Sequence, residues 1–167
     1  HVHPKILQSM MDQAQKITLT SRAFHNDQLA LLYQDLSNLT QYEKFIIMNS
    51  GAEAVETAIK ITRKWGYQVK RIPHDKAEII VAEGNFHGRT ISIISFSSEP
   101  LYKDDFGPLT PGFVTVPFGD AEAIRKAITK NTAGILIEPI QGEGGVIIPP
   151  QGYLEDICSV CEEENVL

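Results

Sequence analysis

Residues 48–60 combine side-chain types and spacing that suit the binding of an anion. Ser50 is followed three residues later by Glu53, which is typical of a capping box at the start of a helix. Gly51 lies between them and has no side chain that would block a close-approaching phosphate. The exposed N–H groups at a helix start, together with the positive end of the helix dipole, form an anion site. The residues alone therefore allow a phosphate site, although many strand–turn–helix junctions bind nothing.

The elements that would position this turn are a strand before it and a helix after it. The apolar run at residues 45–48 predicts a buried strand. The next residues predict a helix that ends near Trp65, with Gly66 as its C-terminal stop. Four residues at helical spacing are expected to face the core: Ala54, Ala58, Ile61 and Trp65. The turn is neither a P-loop, because Gly-Lys-Ser/Thr is missing, nor a Gly-x-Gly-x-x-Gly dinucleotide turn.

Composition and charge restrict the class of protein. The chain has 167 residues, which is enough for one domain with its own core. A net charge of -6 and a pI near 5.3 argue against a nucleic-acid-binding surface. No run of about 18 apolar residues occurs, so no membrane span is expected. The start at His1 is neither a signal peptide nor an Arg-rich transit peptide, and without an initial Met we expect upstream sequence to be missing.

The two cysteines, Cys158 and Cys161, form a C-x-x-C pair, which can be half a zinc site or a redox motif. The pair falls inside a helical pattern from Gly152 to Glu164, whereas a thioredoxin-type pair begins a helix. A zinc ion would need two more ligands. We therefore expect ordinary thiols in a reducing compartment and no metal site.

Periodicity predicts an α/β fold with a mainly parallel sheet flanked by helices. Helices are predicted at residues 4–17, 27–39, 51–66 and 152–164, and a further one begins at an Asp120 cap. Strands are predicted at residues 45–48, 78–82, 113–117 and 134–137, with another starting at 166–167. Residues 18–24 and 97–112 are expected to be loops. The alternation in residues 91–96 favours a strand by propensity. Ligands should gather at the carboxyl ends of the strands, which precede five residues: Gly51, Phe86, Arg89, Glu138 and Glu143.

Three segments resemble the hallmark motifs of class III aminotransferases and occur in the same order as in that family: residues 49–60, 84–90 and 138–145. The resemblance runs along nearly the whole chain. It implies pyridoxal 5′-phosphate (PLP) as the cofactor and the large domain of the fold type I PLP-dependent transferases. That family has a helix at the position of residues 91–96, so we expect a helix there instead of a strand.

The resemblance also assigns roles to single residues. Ser50, Gly51 and Ala52 would bind the PLP phosphate, the last two through backbone N–H groups. Phe86 would stack on the pyridine ring; from the sequence alone it is equally well a half-buried loop aromatic. Arg89 would receive a substrate carboxylate with its planar guanidinium; without the resemblance it would be a solvated surface arginine.

The resemblance gives the two glutamates after the last predicted full strand different roles. Glu138 would orient groups around the cofactor ring. Glu143 would line the substrate pocket and pair with a downstream arginine, helping the site to alternate between two substrates. His87 is expected to be structural because no paired base is evident. His1 and His3 match the family's approach to its first helix and suggest no metal site.

PLP catalysis needs a Schiff-base lysine, which the family places downstream in a Gly-Lys motif. No lysine of this chain has that context. The family's aspartate for the pyridinium nitrogen would follow Leu167. We therefore expect residues 1–167 to be part of the PLP-binding large domain, without its C-terminal part or the small domain, and inactive alone.

Further segments, at residues 19–24, 63–67 and 106–113, are similar to the branch of the family that acts on ornithine and 2-oxoglutarate. Branches that act on acetylornithine or 4-aminobutyrate are the alternatives. A non-catalytic chain that only pairs with a full-length subunit is another. The resemblance implies small amino-acid and 2-oxo-acid substrates and a homodimer, in the cytoplasm or the mitochondrial matrix.

Overall fold

The computed structural model describes residues 2–21 and 23–167, and the chain divides into two compact units, His1–Ile47 and Met48–Leu167. The prediction for His1, and Arg22 in the predicted loop at residues 18–24, fall outside the described residues. The described part of that loop has no regular structure, as predicted.

The first unit contains two helices, α1 (Pro4–Ala14) and α2 (Asp27–Thr40). Pro4 occupies the first turn of α1, and His3 Nδ1 accepts the Lys5 N–H at 3.3 Å, so His3 acts as the helix cap. Asn26 caps α2 by accepting the N–H groups of Gln28 and Leu29. Neither helix contains a buried residue. Helix α1 ends three residues before the predicted boundary.

The second unit is built on three parallel strands, β1 (Glu78–Ala82), β2 (Phe113–Val116) and β3 (Thr132–Leu136), in the order β2-β1-β3. Ile79 is in register with Phe113 on one side and with Gly134 on the other. The α/β fold with a parallel sheet is therefore confirmed.

Helices cover both faces of this sheet. They are α3 (Gly51–Gln68), α4 (Ile91–Ile94), α5 (Ala121–Ala127) and α6 (Tyr153–Glu164). Alternate residues of β1 point to opposite faces. Ile79 and Val81 pack in a core with Ile59 of α3, whereas Ile80 packs with Ile124 of α5. This explains why β1 has an uninterrupted apolar sequence.

The predicted strand at residues 45–48 is wrong. These residues have no regular structure, and the side chains of Ile46 and Ile47 are exposed. A strand requires a hydrogen-bonding neighbour, and no described residue forms a ladder with this run. An apolar run of four residues is therefore insufficient to define a strand.

Helix α3 forms as predicted, but the predicted buried face and C-terminal stop are wrong. Ala54, Ala58 and Ile61 are exposed and Trp65 is half-buried. The face toward the sheet is one residue further along, at Val55, Ile59, Thr62 and Gly66, and Ala52 packs on the same side. Both stripes have helical spacing, and alanine is too small to distinguish them.

Gly66 lies buried inside α3 instead of after its end. A Cβ at this position would lie 2.9 Å from the Cβ of Ala133 in β3, so the glycine permits close contact between helix and sheet. The helix continues to Gln68, and Val69 donates its N–H to the Trp65 carbonyl.

The remaining elements agree with expectation. Residues 91–94 form a helix, as the family resemblance implied and against their strand propensity. Asp120 caps α5 by accepting the Ala123 N–H at 2.8 Å. The long loop at residues 97–112 contains only a short 3₁₀ turn, Pro100–Tyr102. Leu167 is hydrogen-bonded to β3, since it donates its N–H to the Ala133 carbonyl and accepts the Ile135 N–H. Residues 166–167 are not themselves assigned to a strand, so the strand predicted to start there stays a prediction.

Cys158 and Cys161 lie within α6 as predicted, and both thiols are free. Burial raises the pKa of the Cys161 thiol above its ordinary value, and the neighbouring Cys158 acts in the same direction. Among residues 2–21 and 23–167, no group of His, Cys, Asp or Glu side chains is arranged to hold a metal ion. Within the same residues, no helix is sufficiently long and apolar to cross a membrane.

The contact at Gly66 predicts that Gly66→Ala destabilises the protein. Alanine favours a helix by about 1 kcal/mol, but its Cβ would overlap the rigidly placed Ala133, and such overpacking costs about 1–3 kcal/mol. We expect a net loss of about 1 kcal/mol in the free energy of unfolding, measured by urea denaturation. The exposed control Lys64→Ala, on the same helix, should change it by less than about 0.5 kcal/mol. A Gly66→Ala protein as stable as that control would contradict the close contact.

Candidate cofactor and substrate site

The N-terminus of α3 presents unpaired backbone donors. Ser50 Oγ accepts the Glu53 N–H at 3.2 Å, as the predicted capping box requires. In return, Glu53 Oε2 accepts the N–H of Asn49 at 2.8 Å, one residue before the cap, instead of the N–H of Ser50. No acceptor within the described part of the chain receives the N–H groups of Gly51 and Ala52. A Cβ on Gly51 would meet no atom within 4 Å, so the space in front of these donors is open.

The loop at residues 84–90 packs directly against this helix start. Gly88 has φ +126°, and a Cβ there would lie 3.0 Å from the Cβ of Ala52. Thr90 Oγ1 also donates to the carboxylate of Glu56 on α3. Only glycine tolerates both this backbone angle and this separation. The predicted phosphate turn and the predicted ring-binding loop are thereby brought together.

Glu138 joins the loop after β1 to the loop after β3. Its Oε2 accepts the Phe86 N–H at 2.9 Å, and its Oε1 accepts the Gly142 N–H at 3.2 Å. A carboxylate that accepts two backbone N–H groups fixes both peptide segments strongly, because hydrogen bonds to a charged group are the stronger kind. Glu138 therefore positions the backbone of Phe86.

The Phe86 ring contacts Arg89 and Tyr102. The guanidinium carbon of Arg89 lies 5.3 Å from the ring centroid, which is a cation–π distance. The Tyr102 ring lies 6.1 Å away at an interplanar angle of 68°, an edge-to-face arrangement. Phe86 is half-buried and Arg89 is exposed, so each retains surface that a ligand can reach.

Two cavities open beside these residues. One, of about 170 Å³, is lined by Phe86, Tyr102, Glu99 and Glu143, with neighbouring small and polar residues. The other, of about 300 Å³, has Arg89 with mainly apolar side chains and again Tyr102. Glu143 and Arg89 therefore lie on different cavities, and Tyr102 lines both. Carboxylates line the first cavity, which therefore suits a positively charged group. A guanidinium lines the second, which therefore suits a negatively charged group.

His87 lies within the ring-binding loop with its Nε2 buried and without a hydrogen-bond partner among the described residues. Its ring is 5.8 Å from that of Phe96. Burial lowers the pKa of His87 below its ordinary value of 6.5, and the nearby Glu138 carboxylate opposes that shift. A neutral, packed imidazole agrees with the predicted structural role.

Three residues that support the site were missed by sequence reasoning. Tyr102 lies in a loop that was predicted only as surface. Asn85 is buried and donates to the carbonyls of Ala82 and Phe96. Gln141 is buried and donates to the Glu83 carbonyl at 2.7 Å. The available signal was the placement of two amides in the loops that follow β1 and β3, since a polar side chain buried there needs backbone partners.

Lys70 is the lysine whose pKa differs from its ordinary value. Burial lowers the pKa of its ammonium group, and the Glu164 carboxylate opposes this. Its Nζ donates to the Thr132 and Glu164 carbonyls, at 2.9 and 3.1 Å. Neither partner belongs to the loops at residues 84–90 or 138–145, so Lys70 links α6 to β3 instead of serving the site.

A family profile described as Aminotransferase class-III matches residues 1–167. The chain belongs to the class III aminotransferases. Members of this family use PLP, and the open donors at the start of α3 suit its phosphate. The sequence is 57% identical to the ornithine aminotransferases of Brevibacillus brevis and of Bacillus subtilis, over the whole chain and 42% of each relative. The chain thus spans less than half the length of the curated relatives it matches.

Solved structures give the same relationship. An ornithine aminotransferase from Toxoplasma gondii superposes on the whole chain with a TM-score of 0.94 and 42% identity, over 40% of its own length. Another structure of that enzyme has partial occupancy of PLP at its active site. The acetylornithine aminotransferase from Elizabethkingia anophelis matches with a TM-score of 0.79 and 47% identity, over 41% of its length. The predicted family and fold type are confirmed.

The double role of Glu138 predicts that Glu138→Gln weakens the site in two measurable ways. One backbone N–H loses its acceptor, which costs about 1–3 kcal/mol of stability. Removal of the charge should also lower the pKa of His87 further, as measured by NMR titration. Protonation of His87 in the folded state costs stability, so stability falls as the pH drops below 6.5 and the loss is complete below the folded pKa. The variant should lose more stability than wild type between about pH 7 and about pH 5.

Glu162→Gln, an exposed carboxylate on α6, is the matched control and should change neither quantity. An unchanged His87 titration in the Glu138→Gln protein would show that the two side chains do not interact.

Proposed function

We propose that the protein carrying this chain is a PLP-dependent aminotransferase that acts on ornithine and 2-oxoglutarate, yielding glutamate semialdehyde and glutamate. The single observation that carries the proposal is the contact of Gly88 with Ala52, which brings the open helix start and the Phe86 loop to one place. A phosphate group and an aromatic ring of one cofactor can then be held by neighbouring elements of the chain.

Ser50, Gly51 and Ala52 would hold the cofactor phosphate. The N–H groups of Gly51 and Ala52 are unpaired, and the dipole of the 18-residue helix α3 favours an anion at this end. When bound, PLP would supply an electron sink for chemistry at an amino-bearing carbon. The chain itself binds and orients the group.

Phe86 and Glu138 would place the cofactor ring. Glu138 fixes the Phe86 backbone through the 2.9 Å bond, and the half-buried phenyl ring would offer a face for stacking. Glu138 also accepts the Gly142 N–H, so the loop that carries Glu143 would be held at a fixed distance from that ring. The carboxylate thus orients protein groups around the cofactor.

Arg89 and Glu143 would select the substrate. The exposed Arg89 guanidinium suits a carboxylate, which it can bind through two parallel hydrogen bonds. Glu143 lies on the neighbouring cavity, where a carboxylate attracts a free ammonium group. An amino acid with one carboxylate and two amino groups, such as ornithine, matches this distribution of charge.

Acetylornithine is the second candidate substrate, because the 47% identical enzyme from Elizabethkingia anophelis is an acetylornithine aminotransferase. An acetylated α-nitrogen has no charge to pair with Glu143. The preference between the two substrates therefore tests the assigned role of that carboxylate.

The remaining expectations extend this proposal. Residues 1–167 would form part of the PLP-binding large domain, and the lysine that binds the cofactor covalently would lie outside this chain. The protein would act as a homodimer; a non-catalytic partner of a full-length subunit would form the same dimer without turnover. The bacterial relatives favour the cytoplasm over the mitochondrial matrix.

The phosphate assignment predicts that Gly51→Val weakens PLP affinity by about tenfold or more. Loss of a hydrogen bond to a charged group costs about 1.5–3 kcal/mol, and the valine would fill the open space in front of the donors. Spectroscopic titration of the protein with PLP measures the dissociation constant.

Ala54→Val is the matched control, because it places the same branched side chain one turn further along the exposed side of α3. Its PLP affinity should equal that of wild type. Equal affinities for the two variants would reject a phosphate site at Gly51.

The carboxylate assignment predicts that Arg89→Lys lowers kcat/KM by about tenfold for both ornithine and 2-oxoglutarate, because the two-pronged geometry is lost. Steady-state assays of each half-reaction measure this. Arg125→Lys is the control, since Arg125 and its partner Glu163 both lie on the face of the sheet opposite to that of α3 and α4. The same assays also test the substrate: the wild-type protein should prefer ornithine to acetylornithine. An unchanged kcat/KM in the Arg89→Lys protein would exclude substrate contact.

A further inference from the structure

Tyr102 is the residue common to both cavities of the site, and neither the sequence motifs nor the proposed reaction assign it a role. It ends the 3₁₀ turn Pro100–Tyr102 and is half-buried. An aromatic side chain at this position has few rotatable bonds and a large contact area, so it restrains neighbouring rings at low entropic cost.

The turn that carries Tyr102 is held by three hydrogen bonds between side chains and backbone groups, one of which reaches the site. Glu99 caps the turn, since its Oε1 accepts the Leu101 N–H at 3.2 Å. Ser98 Oγ accepts the N–H of Gly84 at 2.7 Å, which ties the turn to the loop that carries Phe86. Lys103 Nζ donates to the Ser97 carbonyl at 2.9 Å and so links the residues just after the turn to those just before it. Tyr102 is thus held in place independently of any ligand.

The Phe86 backbone is already fixed by Glu138, so the remaining freedom of Phe86 is rotation of its side chain. Tyr102 lies against that side chain at 6.1 Å and 68°, within the range preferred by edge-to-face aromatic pairs. Any rotation of the Phe86 ring must break this arrangement. The edge contact therefore selects one orientation of the ring plane.

We propose that Tyr102 is a positioning residue that sets the plane of the Phe86 ring for stacking against the cofactor. The inference rests on the proposed function, because it requires Phe86 to contact PLP. Tyr102 acts through the contact between its aromatic ring and that of Phe86, and its hydroxyl group takes no part in this contact. Phenylalanine at position 102 should therefore preserve the effect.

The test is a double-mutant cycle on the protein that carries this chain, with PLP affinity and the circular dichroism of bound PLP as readouts. Tyr102→Leu should weaken PLP binding by about two- to tenfold and alter the dichroism, whereas Tyr102→Phe should match wild type. In a Phe86→Leu background, Tyr102→Leu should have no further effect, because the ring through which it acts is gone.

Tyr67→Leu is the matched structural control. Tyr67 also faces a second aromatic ring, His74, at 6.1 Å, and it packs beside a small core away from the site. Its loss should lower stability without a change in PLP affinity or dichroism. If Tyr102→Leu fails to fold, Tyr102→Met keeps more of the volume without an aromatic edge and serves in its place.

The outcomes separate the two proposals. If Phe86→Leu leaves PLP affinity unchanged, the proposed stacking of Phe86 is wrong, and with it the basis of this inference. If Phe86→Leu weakens binding and Tyr102→Leu does not, the proposed function stands and the role of Tyr102 is overturned. A Tyr102→Phe protein as impaired as Tyr102→Leu would also overturn it, because the hydroxyl group would then be the active part.

Discussion

Burial of the central strand β1 on both faces is the constraint on which the unit at residues 48–167 depends. Ile79, Ile80 and Val81 are at most 2% exposed, so each face needs its own cover. Helices α3 and α4 supply one cover, and α5 and α6 the other. A parallel sheet of this kind requires crossover helices, and each crossover returns the chain to the same end of the sheet. The loops that follow β1 and β3 are therefore neighbours before any specific contact forms.

Specific polar contacts then convert this proximity into a fixed site. Glu138 offers two carboxylate oxygens, and each receives a backbone N–H from a different loop. Loops have few hydrogen-bonding partners of their own, so a charged acceptor shared between two of them restricts both at once. Asn85 has a similar function on one side, because its amide group binds the backbone at the end of β1 and at Phe96.

The sequence predicted those features that depend on local chemistry. The caps at Ser50 and Asp120 follow from a side-chain oxygen that accepts a nearby N–H, and both are present. Features that depend on partners distant in sequence were not predictable. The apolar run at residues 45–48 looks like a strand until its missing neighbour is known. Gly66 looks like a helix stop until β3 is seen to pack against it. Tyr102 gave no signal because its importance comes from Phe86, which is 16 positions away in the chain.

The contact between Gly88 and Ala52 has a consequence for how the site responds to change. The Ala52 side chain also packs against the core that contains Ile59 and Val81. A Cβ added at Gly88 would lie only 3.0 Å from the Ala52 Cβ, so there is no room for a side chain at position 88, and close-packed interiors transmit small displacements instead of absorbing them. A shift of the helix start would therefore move the loop that carries Phe86 and Arg89. For this reason the residues that would bind a phosphate, a ring and a carboxylate would move together, although they come from separate motifs of the sequence.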